Sequence, residues 1–143
     1  MYNIDNGGLK PYSECLVNGM KKIGVNVVLS RRINYRKFDV VHIQFDYSLF
    51  HPFGAGVIPK ILRLRSNGKK IVLTFGVVPR RKDIYARNRF VTSIKKIVLP
   101  IITKAICMLS DRIIVMIDEL KDALVSDYKV NPKKIEVIPH GIY

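Results

Sequence analysis

Three histidines and one glycine pair are the residues of this chain whose types and spacing could do chemistry. His42, His51 and His140 each carry an imidazole that can act as base or hydrogen-bond donor near neutral pH. His42 falls inside the apolar run Asp39-Val-Val-His-Ile-Gln-Phe45, where a core histidine satisfied by a neighbour is the expected outcome. His51, in Leu49-Phe-His-Pro52, follows the end of that run, and open α/β sheets place ligands beyond the C-terminal ends of their strands. His140, in the turn Pro139-His-Gly141, follows the last apolar run in the same way. Gly7-Gly8 stands directly before a helical pattern, so its backbone N–H groups could approach an anion that the helix N-terminus also attracts. A glycine pair alone also makes a plain turn, and neither the dinucleotide nor the P-loop glycine pattern occurs. Cys15 and Cys107 lie far apart and outside any Cys/His cluster. No metal or redox chemistry is therefore expected of them, and both read as small buried apolar residues in a reducing compartment.

The second feature with chemical meaning is charge. The formal net charge is +14, and between Lys60 and Lys104 thirteen Lys and Arg face a single acid, Asp83. In the stretch from Pro79 to Lys104, Arg80, Arg81, Lys82, Arg87, Arg89, Lys95 and Lys96 flank Tyr85, Phe90 and Ile94. This patch suits an anionic partner or a membrane surface. The expected arrangement packs the apolar stripe of this stretch on a sheet and leaves the basic loop to touch the membrane. A solvated basic face is the plainer alternative.

The elements that must position these residues alternate regularly. Leu9, Tyr12, Leu16, Met20 and Ile23 form an amphipathic helix that Gly24 ends. Val25–Leu29 reads as a short strand, and Asp39–Phe45 as a second strand that could neighbour it. A helix follows through Val57, Ile58, Ile61, Leu62 and Arg65, closed by Asn67-Gly68, and then a buried strand, Ile71–Phe75. The long helical pattern from Phe90 to Met108 contains Pro100, which predicts a kink or a break into two helices. Arg112–Ile117 is a strand, Asp118 is placed to cap a helix through Leu120, Leu124 and Val125, and Asn131-Pro132 turns into a last strand, Ile135–Ile138. Continuous apolar strands alternating with helices predict an α/β fold: one domain, residues 1–143, with a mostly parallel sheet and helices on both faces. At 48% hydrophobic residues the chain is globular rather than disordered. The first residues are polar and lack a signal-peptide core, and the longest apolar stretch is bracketed by lysines, so the cytoplasm is the expected location, with peripheral membrane contact.

In this order the pieces resemble the N-terminal half of a GT-B glycosyltransferase of the retaining, family 4 type. The resemblance runs through Asn6-Gly-Gly8, Asp39-Val-Val-His-Ile43, Gly68-Lys-Lys-Ile-Val-Leu-Thr74, Ser110-Asp-Arg-Ile-Ile-Val115 and Lys133-Lys-Ile-Glu-Val-Ile-Pro-His-Gly141. The last two carry most of it, since that family's first domain reads as a strand of Asp-x-Ile-Ile-Val type, a helix, and Lys-Ile-x-Val-Ile-Pro-[Asn/His]-Gly at the linker between domains. The resemblance implies one Rossmann-like half of a two-domain enzyme. Gly7 and Gly8 would face the donor phosphates, and His51 and His140 would belong to the acceptor cleft. The basic loop would approach a lipid-linked acceptor or a membrane.

Two departures from the family are visible. Met1–Asp5 is short for the strand that usually precedes the glycine loop, and Thr74-Phe75-Gly76 stands where many members carry a histidine. The catalytic residues are not identified, because the paired glutamates and nucleotide pocket of such enzymes lie in a C-terminal half that these residues do not include. The expectation is an acceptor-binding domain that is inactive alone. It needs no cofactor of its own, and takes a nucleotide-sugar donor only with a C-terminal partner, which could be separately encoded. A basic module that binds nucleic acid or a membrane without enzyme activity is the alternative; no recognition helix or RNP-like strand supports nucleic acid.

Overall fold

The computed structural model describes residues 9–30, 37–80, 82, 84 and 89–139. In chain order the elements are α1 (Leu9–Lys22), β1 (Val40–Phe45), α2 (Ile58–Ser66), β2 (Lys70–Phe75), α3 (Arg89–Leu109), β3 (Arg112–Val115), α4 (Asp118–Ser126) and β4 (Ile135–Val137). Short 3₁₀ turns, Ala55–Val57 and Pro132–Lys134, lead into α2 and β4.

The four strands are parallel and lie in the order β1-β2-β3-β4. Their register aligns Ile43 with Leu73 and Ile113 with Ile135, and it places Phe45 beside Phe75 and Phe75 beside Val115. Because side chains alternate along a strand, this register gathers the odd-numbered apolar residues on one face. Each crossover steps one strand in the same direction, so right-handed connections put α2, α3 and α4 together on that face. The buried core has this composition: Ile61 and Leu64 of α2, Ile102, Ile106 and Cys107 of α3, and Ala123 and Leu124 of α4 close over the odd strand positions. The other face carries His42, Gln44 and Thr74 on β1 and β2, all largely buried, and the exposed Glu136 on β4.

The helix ends follow from local chemistry. Gly24 and Gly68 take positive φ, 82° and 72°, after α1 and α2. Behind Gly68 the N–H of Lys69 reaches the Leu64 carbonyl at 3.1 Å, so the chain reverses into β2 with its last carbonyls satisfied. The C-terminus of α3 is held by two cations: Arg65 Nη1 donates to Leu109 O at 2.9 Å, and Lys134 Nζ to Met108 O and Ser110 O at 3.2 and 2.9 Å. Positive charge at that end also complements the helix dipole.

Four expectations are corrected. Residues 25–29 form no strand with the described residues; Val25 and Val28 are exposed, and an apolar run gains from extended backbone only where a ladder partner pairs with it. Of the kink or break expected at Pro100, the break into two helices does not occur: α3 runs through it, with Leu99 on one side and Ile102 and Ile106 on the other packed into the protein, and Thr103 Oγ1 donating to Leu99 O at 2.8 Å. Asp118 is the first residue of α4 rather than its cap, which is Ile117; with Glu119 it places carboxylates in the positive first turn. Cys15 is exposed and only Cys107 is buried, where desolvation pushes its thiol up to about 12.

Candidate functional site

The loop after β1 is built on an aromatic floor. Phe45, the last residue of β1, stacks on Phe50 at 5.6 Å and meets Tyr47 and Phe75 edge-on at 5.0 and 5.1 Å between ring centroids. Tyr47 is anchored further by its hydroxyl, 2.8 Å from Thr103 Oγ1. Thr103 spends its own proton on the Leu99 carbonyl, so Tyr47 donates. Burial holds the Tyr47 phenol well above its ordinary range, which makes this group a tether and not an acid. Gly54 closes the loop at φ 87°, and a Cβ there would lie 2.7 Å from the Phe45 ring. Only glycine satisfies both the backbone and the ring.

On this floor stand polar groups. Asp46 Oδ1 accepts the Ser48 N–H at 2.7 Å and the Ser48 hydroxyl, forming a tight turn at the strand's end. His51 is exposed and has no hydrogen-bond partner among the described residues. Two residues on, the Phe53 ring receives Lys95 Nζ of α3 at 5.9 Å, so the His51 loop and the start of the basic helix adjoin.

The loop after β2 is held from α4. The Tyr128 hydroxyl donates to the Pro79 carbonyl, and Arg80 Nη2 donates to the Glu119 carbonyl at 3.4 Å. Val78 is buried beneath, while Gly76 and Val77 face outward next to the end of β1. After β3 and β4 the edge continues with the exposed Ile117 and Ile138, the latter joined to β3 by its N–H on the Val115 carbonyl at 2.8 Å.

The sequence-predicted residues divide sharply. His51, Arg80 and Lys95 are at or beside this C-terminal edge; Lys82 and Lys96 are exposed. Gly7 and Gly8 immediately precede α1 but lie outside the described residues, as do His140, Arg81 and Arg87 and the side chain of Arg89. His42 is the satisfied core histidine expected: its Nε2 lies 2.7 Å from Thr74 Oγ1, and burial lowers its pKa. Sequence reasoning missed Asp46 and Ser48. The signal was present, since an Asp-x-Ser turn immediately after a buried strand is a ligand-edge position by the same rule that selected His51.

In an open α/β sheet the binding crevice forms where strand order reverses. Among the described residues the strand order does not reverse, and Asp46, Ser48 and His51 stand beyond the C-terminal end of the edge strand β1, which makes this a candidate ligand edge. Among the described residues no group of three or more His, Cys, Asp or Glu could hold a metal ion, and no helix is long and apolar enough to cross a membrane.

Residues 18–143 match the family model described as Glycosyltransferase Family 4. No curated protein and no solved structure matches the chain.

Proposed function

The chain belongs to glycosyltransferase family 4, and on that premise we propose that it is the acceptor-binding half of a retaining GT-B transferase. The observation that carries this reading is the coincidence of the family match with a parallel sheet whose β1 edge gathers Asp46, Ser48 and His51 over a rigid aromatic floor. Those groups are of the kind that recognise hydroxyls: a carboxylate accepts, and a serine or imidazole both donates and accepts. A nucleotide-sugar is held by the second Rossmann-like domain, whose glutamates and donor pocket face this edge across the interdomain cleft. On this reading Gly7-Gly8 would serve the donor phosphates and His140 the acceptor cleft, all three lying outside the described residues.

Transfer needs both halves, because the transition state is stabilised only by groups placed around it at once. Residues 1–143 alone therefore transfer no sugar. The acceptor is lipid-linked, in keeping with the net charge of +14. Radiolabelled UDP- and GDP-hexoses incubated with membrane lipids test this. The 143-residue chain alone should leave the lipid fraction unlabelled, and adding a nucleotide-sugar-binding half of the same family should label it. Label from the chain alone would overturn the division of labour.

A further inference from the structure

Helix α3 carries two apolar stripes, and the sheet uses only one. Leu99, Ile102, Ile106 and Cys107 are buried against the core. On the opposite side Ile94, Ile97, Ile101 and Met108 are 37%, 65%, 64% and 67% exposed. Their spacing of three, four and seven residues keeps them on one line, about 21 Å long at the rise of an α-helix. Exposed isoleucines scattered singly need no explanation, but an aligned row on one helix does.

The charges around the row say what covers it. Lys104 lies within the row between Ile101 and Met108, and the exposed Lys96 borders it. The helix Arg89–Leu109 contains four basic residues and no acid. A second copy of the chain docked through the same stripe would bring lysine against lysine, an arrangement that like-charge repulsion opposes. The second domain of a transferase sits over the C-terminal ends of the strands, whereas this row follows the flank of α3 away from the sheet. An anionic bilayer meets both demands, since its headgroups attract the lysines and its acyl boundary accepts the isoleucines. Lys104 can extend its ammonium to the phosphates while its methylenes lie along the apolar row.

We propose that the outer stripe of α3, formed by Ile94, Ile97, Ile101 and Met108 with Lys96 and Lys104, is a docking surface for anionic lipid bilayers. This differs from the arrangement the sequence suggests, in which the helix is spent on the core and only the Pro79–Asp83 loop touches the membrane. It stands independently of the transferase reading, because it uses no residue of the β1 edge.

Vesicle sedimentation tests it. The protein should sediment with vesicles of phosphatidylcholine and phosphatidylglycerol, and roughly thirtyfold less with phosphatidylcholine alone, as expected for two lysines acting at the surface. Ile97→Ser with Ile101→Ser should cut binding to anionic vesicles by about tenfold or more, given the apolar area each side chain buries. Both positions are exposed, so the urea midpoint should stay at the wild-type value, which separates lost docking from lost folding. Lys96→Gln with Lys104→Gln should abolish the preference for phosphatidylglycerol. Retained binding in the double-serine variant would overturn the assignment. So would a concentration-dependent dimer, seen by sedimentation equilibrium, that the same serines dissolve while vesicles remain unbound.

Discussion

The two ends of the sheet use polar residues in opposite ways. At the N-terminal end Asp111 accepts the Ile71 N–H at 2.8 Å and pairs with Arg65 and Lys70 at 3.5 and 3.6 Å. Arg65 and Lys134 cap α3 next to it, and Arg112 donates to the Lys133 carbonyl at 2.7 Å. These interactions join β2, β3, α2 and α3, so they hold the fold. At the C-terminal end the loop after β1 is held mainly by rings: Phe45, Tyr47, Phe50 and Phe75 fix it from below, and His51 stays at the surface. A loop fixed by apolar packing can leave a polar group such as His51 open to a ligand, whereas the polar groups of the opposite end are spent on holding the elements together.

Breaking the aromatic floor should have the largest effect. Phe45→Ala removes a fully buried ring from the centre of the cluster and should cost about 3–5 kcal/mol in urea denaturation. Gly54→Ala attacks the same floor through the backbone, combining a left-handed φ with a Cβ 2.7 Å from the Phe45 ring, and should cost about 2–4 kcal/mol by the same measurement.

At the opposite end, Asp111→Ala should cost about 1–3 kcal/mol, because the Ile71 N–H and two cations lose their acceptor. Partial desolvation raises the Asp111 pKa, but the Ile71 N–H, Lys70 and Arg65 together outweigh it, and the net shift is downward. A depressed carboxylate pKa gives stability that is present above the unfolded-state value and lost as pH falls through the folded-state value. The gap between wild type and Asp111→Asn should accordingly close in acid.

His42 gives a smaller effect at milder pH. Burial lowers its pKa, so below the unfolded value of about 6.5 protons bind the unfolded chain in preference. Stability should be full above that pH and decline as pH falls toward the lowered folded-state value. His42→Gln should flatten the decline when urea midpoints are compared between neutral and mildly acidic buffer.

Much of this contrast is legible in the sequence, and what is not has a physical cause. The four strands and the helices after them are visible because Ile71–Phe75 or Arg112–Val115 are apolar runs whose burial is decided locally. Val25–Leu29 looks the same by composition yet forms no strand with the described residues, since pairing depends on a neighbour that no local pattern encodes. Pro100 predicts a kink or a break by its own chemistry, and the packing of Leu99, Ile102 and Ile106 keeps α3 a single helix there. That His51 lies beyond the C-terminal end of a strand could be read from its position in the sequence. The ring cluster that supports it brings Phe75 and Thr103 to Tyr47 from distant parts of the chain and is invisible to spacing. The two stripes of α3 merge in the sequence into one apolar helix, and only the packed structure separates the inner from the outer.

His51 tests the central claim most directly, because it sits at the proposed ligand end and has no hydrogen-bond partner among the described residues. A nucleotide-sugar-binding half of the family, fused after Tyr143, would provide a transferase in which His51→Ala and Asp111→Asn are compared for hexose transfer to lipid and for urea midpoint. The account predicts that His51→Ala lowers kcat/KM about tenfold or more, the loss of one hydrogen bond to substrate, with a midpoint change within about 0.5 kcal/mol, while Asp111→Asn lowers stability and leaves kcat/KM in place. Unchanged transfer in His51→Ala, or a loss of transfer that only tracks a loss of stability, would contradict it.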